Sequence, residues 1–105
     1  MTTAEFRVEG AGSYARIVRD KLPFATIEGD TVIVRSCLGA DESLGTHMVW
    51  LWGQLMHGRR VLRAAAAGGA HLVFECAVSK GPVSLPANAA EPLHLLGAEL
   101  RLLPR

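Results

Sequence analysis

Cysteine is scarce, with only Cys37 and Cys76 in 105 residues. A disulfide scaffold needs more pairs than that, and each thiol lies in a strand-like apolar context that suits a reduced, buried side chain. Charge of one sign is also missing. A formal net charge of +1 creates no strong field for nucleic acid or anionic lipid, so no nucleic acid is expected among the partners. Aromatic residues make up 6% of the chain, too few to interleave a basic surface with the rings that single-stranded nucleic acid stacks on. Long hydrophobic runs are absent as well. The longest uncharged stretch, Ser43 to Gly58, is interrupted by His, Thr, Gln and Gly and falls short of the roughly 20 apolar residues a membrane span needs. The opening residues lack a basic stretch followed by an apolar run, so no secretory signal is read. A cytoplasmic location is the simplest expectation.

What is present fits one domain over residues 1–105. A chain of this length buries roughly 65% of its unfolded surface, enough for a core without metal or disulfide staples. Half of the residues are hydrophobic and 20% are charged, a globular composition far from that of disordered chains.

Hydrophobic spacing sets the expected order of elements. Glu5 to Glu9 alternates polar with apolar, as a half-buried strand does, and Gly10 and Gly12 end it. Ser13 is placed to cap a first helix carrying Tyr14, Ile17, Val18 and Leu22, which Pro23 terminates. Phe24 to Glu28 and Thr31 to Cys37 are β-branched-rich runs joined by Gly29 and Asp30, a hairpin signature. Asp41 or Ser43 caps one continuous long helix to Ala67, with Leu44, Met48, Leu51, Leu55, Leu62 and Ala66 in a single stripe that ends at Gly68 and Gly69. His71 to Ser79 reads as a fourth strand, Lys80 to Pro82 as a turn, and Val83 to Leu85 as a continuation of that edge. Pro92 suits only a helix start, so a short helical turn over Leu93 to Leu96 is expected, closed by Gly97 before a last strand from Glu99 to Leu103. This order predicts an α+β fold: a two-layer sandwich, an antiparallel sheet with helices on one face, ferredoxin-like βαββαβ with a C-terminal helix-strand extension.

Three segments carry a resemblance. Val49 to Val78, reading VWLWGQLMHGRRVLRAAAAGGAHLVFECAV, the closing LHLLGAELRLL of Leu93 to Leu103 and the opening FRVEG of Phe6 to Gly10 together resemble a bacterial family known only as a domain of unknown function. The resemblance implies the same architecture and brings no catalytic residues. It leaves Ala11 to Gly45 unmatched.

Each candidate chemistry has a plainer reading. Cys37, Cys76 and His47, His57, His71 and His94 are the residue types zinc prefers. No close C-x-x-C pair exists, and His47 and His57 fall roughly 280° apart around a helix, so neither metal nor cofactor is expected. A thiol/imidazole site drawn from Cys37, Cys76, His47 and His94 is the only route to an enzyme or small-ligand pocket. His71 and Cys76 point to opposite faces of one strand and cannot act together. Gly10, Gly12 and Ser13 fit neither phosphate-binding fingerprint and read as a turn. Arg16, Arg19 and Lys21, with Arg59, Arg60 and Arg63, form a basic surface if their two helices lie side by side, though charges near helix ends more often only complement the dipole.

The sharpest local signal is Val49, Trp50, Leu51 and Trp52, because four consecutive large apolar residues encircle a helix and one sheet cannot bury them all. With Leu51 against the sheet, Trp52 and Met56 flank one side, and Trp50 and Val61 take the outer face. These four residues are the candidate interaction surface. Cover by the C-terminal segment and cover by a second copy, in a homodimer, are equal alternatives; a different protein partner fits the same surface. The leading expectation is a non-enzymatic binding or protein-interaction module, of immunity or accessory type. No small-molecule ligand is identified.

Overall fold

The computed structural model describes residues 1–79 and 83–104. Strand β1 (Thr2–Glu9) is followed by a 3₁₀ turn, helix α1 (Ala15–Lys21), and the hairpin β2 (Ala25–Glu28) and β3 (Thr31–Arg35). Helices α2 (Leu44–Leu55) and α3 (Arg59–Ala67), strand β4 (His71–Val78), helix α4 (Ala87–Leu96) and strand β5 (Glu99–Pro104) complete the chain. The strands form one sheet in the order β2-β3-β1-β4-β5.

The alternation in β1 decides what the sheet does. Ala4, Phe6 and Val8 are buried, and Glu5, Arg7 and Glu9 turn to the opposite face. Phe6 lies opposite Phe74 of β4, and the two rings meet edge to face with centroids 5.0 Å apart. Full burial of each ring contributes about 1.5–3 kcal/mol, and the pairing adds about 0.5–1.5 kcal/mol. Val18 of α1, Met48, Leu51 and Leu55 of α2, Leu62 of α3, and Ala89 and Leu96 of α4 belong to the same buried cluster. All four helices therefore share the face that Phe6 presents.

Three expectations about the sheet and its helices need correction. The sheet is mixed rather than wholly antiparallel, because β5 runs parallel to β4. A parallel pair needs a crossover connection, and α4 supplies it. That helix begins at Ala87, well before Pro92, which sits inside it. Helix-favouring alanines start the element, and the carbonyl of Asn88, deprived of the proline N–H, lies at an exposed position where water can serve it. Val83 to Leu85 form no strand, and the turn read at Lys80 to Pro82 lies outside the described residues.

The single long helix is also broken, by a 3₁₀ turn at Met56–Gly58. The break coincides with a close approach to α1. A Cβ on Gly58 would lie 2.8 Å from Leu22 Cδ2 and 3.2 Å from Lys21 Cβ. At the other end of α3, a Cβ on Gly68 would lie 2.8 Å from Cε2 of Tyr14. The start of α3 thus meets the end of α1 and its end meets the beginning, so the two lie antiparallel in close contact. Ala65, not Ala66, completes the buried stripe. Ser43 caps α2, its Oγ accepting from the Thr46 N–H at 3.1 Å, whereas Ser13 lies inside the first 3₁₀ turn and caps nothing.

Two glycines in this stretch should respond oppositely to alanine. Gly53 is exposed in mid-helix with nothing within 4 Å of an added Cβ, so Gly53→Ala is expected to stabilise by about 0.5–1 kcal/mol. Gly58→Ala is expected to destabilise by about 1–2 kcal/mol, because Leu22 is itself buried and has nowhere to move. Urea unfolding of both variants measures the difference; equal effects would show that α1 does not press on Gly58.

Candidate interaction surface

The turn between α1 and β2 holds the least expected residue. Leu22 is extended, as a residue before proline prefers. Pro23 then occupies the second turn position, and Phe24 follows with φ +63°, where such turns usually take glycine. A bulky side chain in the left-handed region costs about 1–2 kcal/mol. Phe24 is nevertheless 63% exposed, so burial does little to offset the strain. Its ring lies against Trp50 of α2 with centroids 5.8 Å apart.

The residues proposed for the interaction surface divide accordingly. Trp50, Trp52 and Val61 are half-buried and packed on the core, while Leu51, expected against the sheet, is fully buried. Met56 is exposed, in the 3₁₀ turn. On one flank α2 meets α4, where Gly45 leaves room for Pro86 and Ala89. Phe24 covers part of Trp50. Phe24 was read in the sequence as the first residue of a strand. Its signal was Pro23, which fixes the turn immediately before it.

The condition set for a basic surface is met, since α1 and α3 pack side by side. Their exposed faces carry Arg16, Arg19, Lys21, Arg59, Arg60 and Arg63 against one acid, Asp20. Arg19 pairs with Asp20 at 3.3 Å, and both are exposed, so that pair contributes little. Among the described residues, the other five cations make no ion pair. Lys21, Arg59 and Arg60 line a cleft of about 320 Å³ together with Met56, His57 and Val61.

On the opposite face of the sheet every arginine is paired with carboxylates. Arg7 donates to Glu5 at 2.7 Å and to Glu9 at 3.0 Å. Arg101 of β5 grips Glu9 with two bonds of 3.1 Å and reaches Glu75 at 3.2 Å. Arg35 donates to Glu28 at 2.7 Å. The Arg101 bonds, aided by Arg7, hold the Glu9 carboxyl below the ordinary 4.5. A depressed carboxyl stabilises the fold above its unfolded pKa and loses that contribution as the pH falls. Ile33 and Val73 lie on either side of Arg7 in register and are buried, under the apolar stem of a side chain whose charge stays in the network. The end of this face holds a cavity of about 430 Å³ whose lining includes Glu5, Arg35, Ser36, Glu75 and Leu103.

Of the thiol and imidazole candidates, no two are hydrogen-bonded to each other among the described residues. Cys76 is buried on β4 and His94 is exposed on α4. Cys37 is exposed just after β3. His47 is buried, its Nδ1 2.7 Å from Ser36 Oγ, and its Nε2 has no partner among the described residues. The same Ser36 Oγ accepts from the Leu38 N–H at 3.3 Å, so this polar pair ties α2 to the end of β3. No group of three or more His, Cys, Asp or Glu residues is placed to hold a metal ion among the described residues. The glycine loop after β1 has a partner of its own. Asp30 accepts from the Ala11 N–H at 2.9 Å through its carbonyl and from the Gly12 N–H at 2.7 Å through Oδ1, so a carboxylate of the chain stands where an anion would bind. No helix among the described residues is long and apolar enough to cross a membrane.

The sequence matches no family model, and no curated protein or solved structure is significantly similar to it.

Burial pushes the Cys76 thiol up from 9.0 to about 12, with Glu75 and Glu5 adding to the effect. A raised thiol pKa leaves stability intact below the unfolded value and removes it as the pH climbs from 9.0 toward 12. At mildly alkaline pH a thiol reagent is therefore expected to modify Cys37 in the native protein and Cys76 only after unfolding. Two thiols reacting equally fast would contradict this placement.

Proposed function

We propose that this chain is a non-enzymatic binding module that takes its partner on the surface formed by Phe24 and Trp50. One observation carries the reading: an exposed aromatic ring is held in a conformation that costs stability, on top of a tryptophan. Strained residues persist where the surroundings dictate them, and they concentrate at binding and switch sites. Large aromatics also dominate the energetics of protein contact surfaces.

A binding role of immunity or accessory type fits this surface, and the resemblance to a bacterial domain family bears on the architecture and leaves the role open. We read the order β2-β3-β1-β4, with every neighbouring pair antiparallel, as a ferredoxin-like core to which α4 and β5 add an edge. Two free cysteines fit a cytoplasmic protein, and a second copy or another macromolecule fits the aromatic surface. An enzyme built on a Cys/His pair has less support, because Cys76 resists ionisation and Cys37 has no imidazole bonded to it.

Phe24→Gly separates a binding role from a packing role. Glycine takes the left-handed turn without strain, so the loss of ring contacts is offset and stability should stay within about 1 kcal/mol of the parent. Collisional quenching of Trp50 emission, measured in a Trp52→Phe background, should rise. A loss well above 1 kcal/mol would mean that the ring serves the fold, and the proposed surface would lose its basis.

A further inference from the structure

The Phe24–Trp50 pair and the basic cleft lie on neighbouring stretches of the same two segments, Lys21 to Phe24 and Trp50 to Val61. Lys21 lines the cleft and precedes Phe24 by one turn of chain, and His57, also in the cleft, lies about 10 Å along the helical rod from Trp50. The two features together place unpaired cations near the exposed ring of Phe24 and the half-buried Trp50 that it lies against, an arrangement that the low aromatic content of the sequence does not suggest.

Resting on the binding role proposed above, we infer that this surface is a single-stranded nucleic-acid site, in which phosphates enter the Lys21–Arg59–Arg60 cleft and a base stacks on the exposed ring of Phe24, next to Trp50. Charge complementarity names the occupant. The two helices carry six cations against one acid although the whole chain is only +1, and five of those cations have no carboxylate partner among the described residues. On the sheet face Arg7, Arg35 and Arg101 are all neutralised, so the free positive charge is concentrated on one side. An acidic protein segment would satisfy the cations, but it would leave the flat rings without a stacking partner. A duplex keeps its bases stacked inside and would make no use of Phe24. Successive unstacked bases above a phosphate backbone match both halves of the surface.

The test is fluorescence anisotropy of the intact chain with a labelled oligothymidylate of roughly 12 nucleotides, read together with Trp emission. Binding should quench the Trp50 emission. Affinity should fall roughly 20- to 50-fold between about 50 and about 200 mM salt, as expected when three or four phosphates are neutralised on a single strand. The double variant Lys21→Glu, Arg60→Glu should lose at least about 10-fold and flatten the salt dependence. Phe24→Gly should lose about 10-fold with its salt dependence unchanged, since stacking and ion release are separate contributions. The inference is overturned by an absence of binding, by equal affinity for a duplex of the same length, by polyglutamate binding as tightly, or by binding that ignores Phe24→Gly. If oligonucleotide binding fails while Phe24→Gly still leaves stability unchanged, the nucleic acid is the wrong partner and the binding role stands.

Discussion

Everything in this fold follows from a sheet that can bury only one of its faces. Phe6 and Phe74 meet at the centre of β1 and β4, and their burial demands a helical cover on that side. The other side is dressed with Glu5, Arg7, Glu9, Glu75 and Arg101, whose charges satisfy one another. Four helices crowded onto one face leave α1 no place except against α3, and that crowding is relieved by Gly58 and Gly68. The same crowding sets the end of α1 beside the 3₁₀ turn that follows α2, and the turn that leaves α1 brings Phe24 onto Trp50.

The two faces accordingly differ in electrostatic character. Ion pairs on the sheet are intramolecular and half-screened, and they fix the positions of β1, β4 and β5 more than they add energy. On α1 and α3 only Arg19 has a carboxylate partner, the exposed Asp20, among the described residues. A protein with almost no net charge thus carries a strongly positive surface, because its carboxylates and guanidinium groups are sorted between faces and not merely balanced in number.

Local signals in the sequence were legible where local physics decides the outcome. Gly29 and Asp30 make the hairpin, Ser43 caps α2, Gly97 takes the left-handed position after α4 with φ +63°, and the alternation of β1 names its buried side. Features set by distant contacts were not legible. The break at Met56–Gly58 comes where Gly58 packs closely against Leu22, far away in the chain. The early start of α4 depends on the docking of Ala89 in a core that the local pattern does not reveal. Of the interaction surface, Trp50 was legible because a helix with four adjacent large apolar residues cannot hide them all. Phe24 was not, since a phenylalanine before a β-branched run reads as strand until Pro23 and the neighbouring tryptophan are seen together.

The binding surface exists only if Phe24 is held left-handed against Trp50 in the free protein. Solution NMR of the unliganded chain tests it most directly, through the backbone coupling and intraresidue proximities that report the sign of φ and through ring-to-indole proximities. A positive φ at Phe24 with close contacts between the two rings is the predicted result. An extended Phe24 whose ring makes no contact with Trp50 would contradict it.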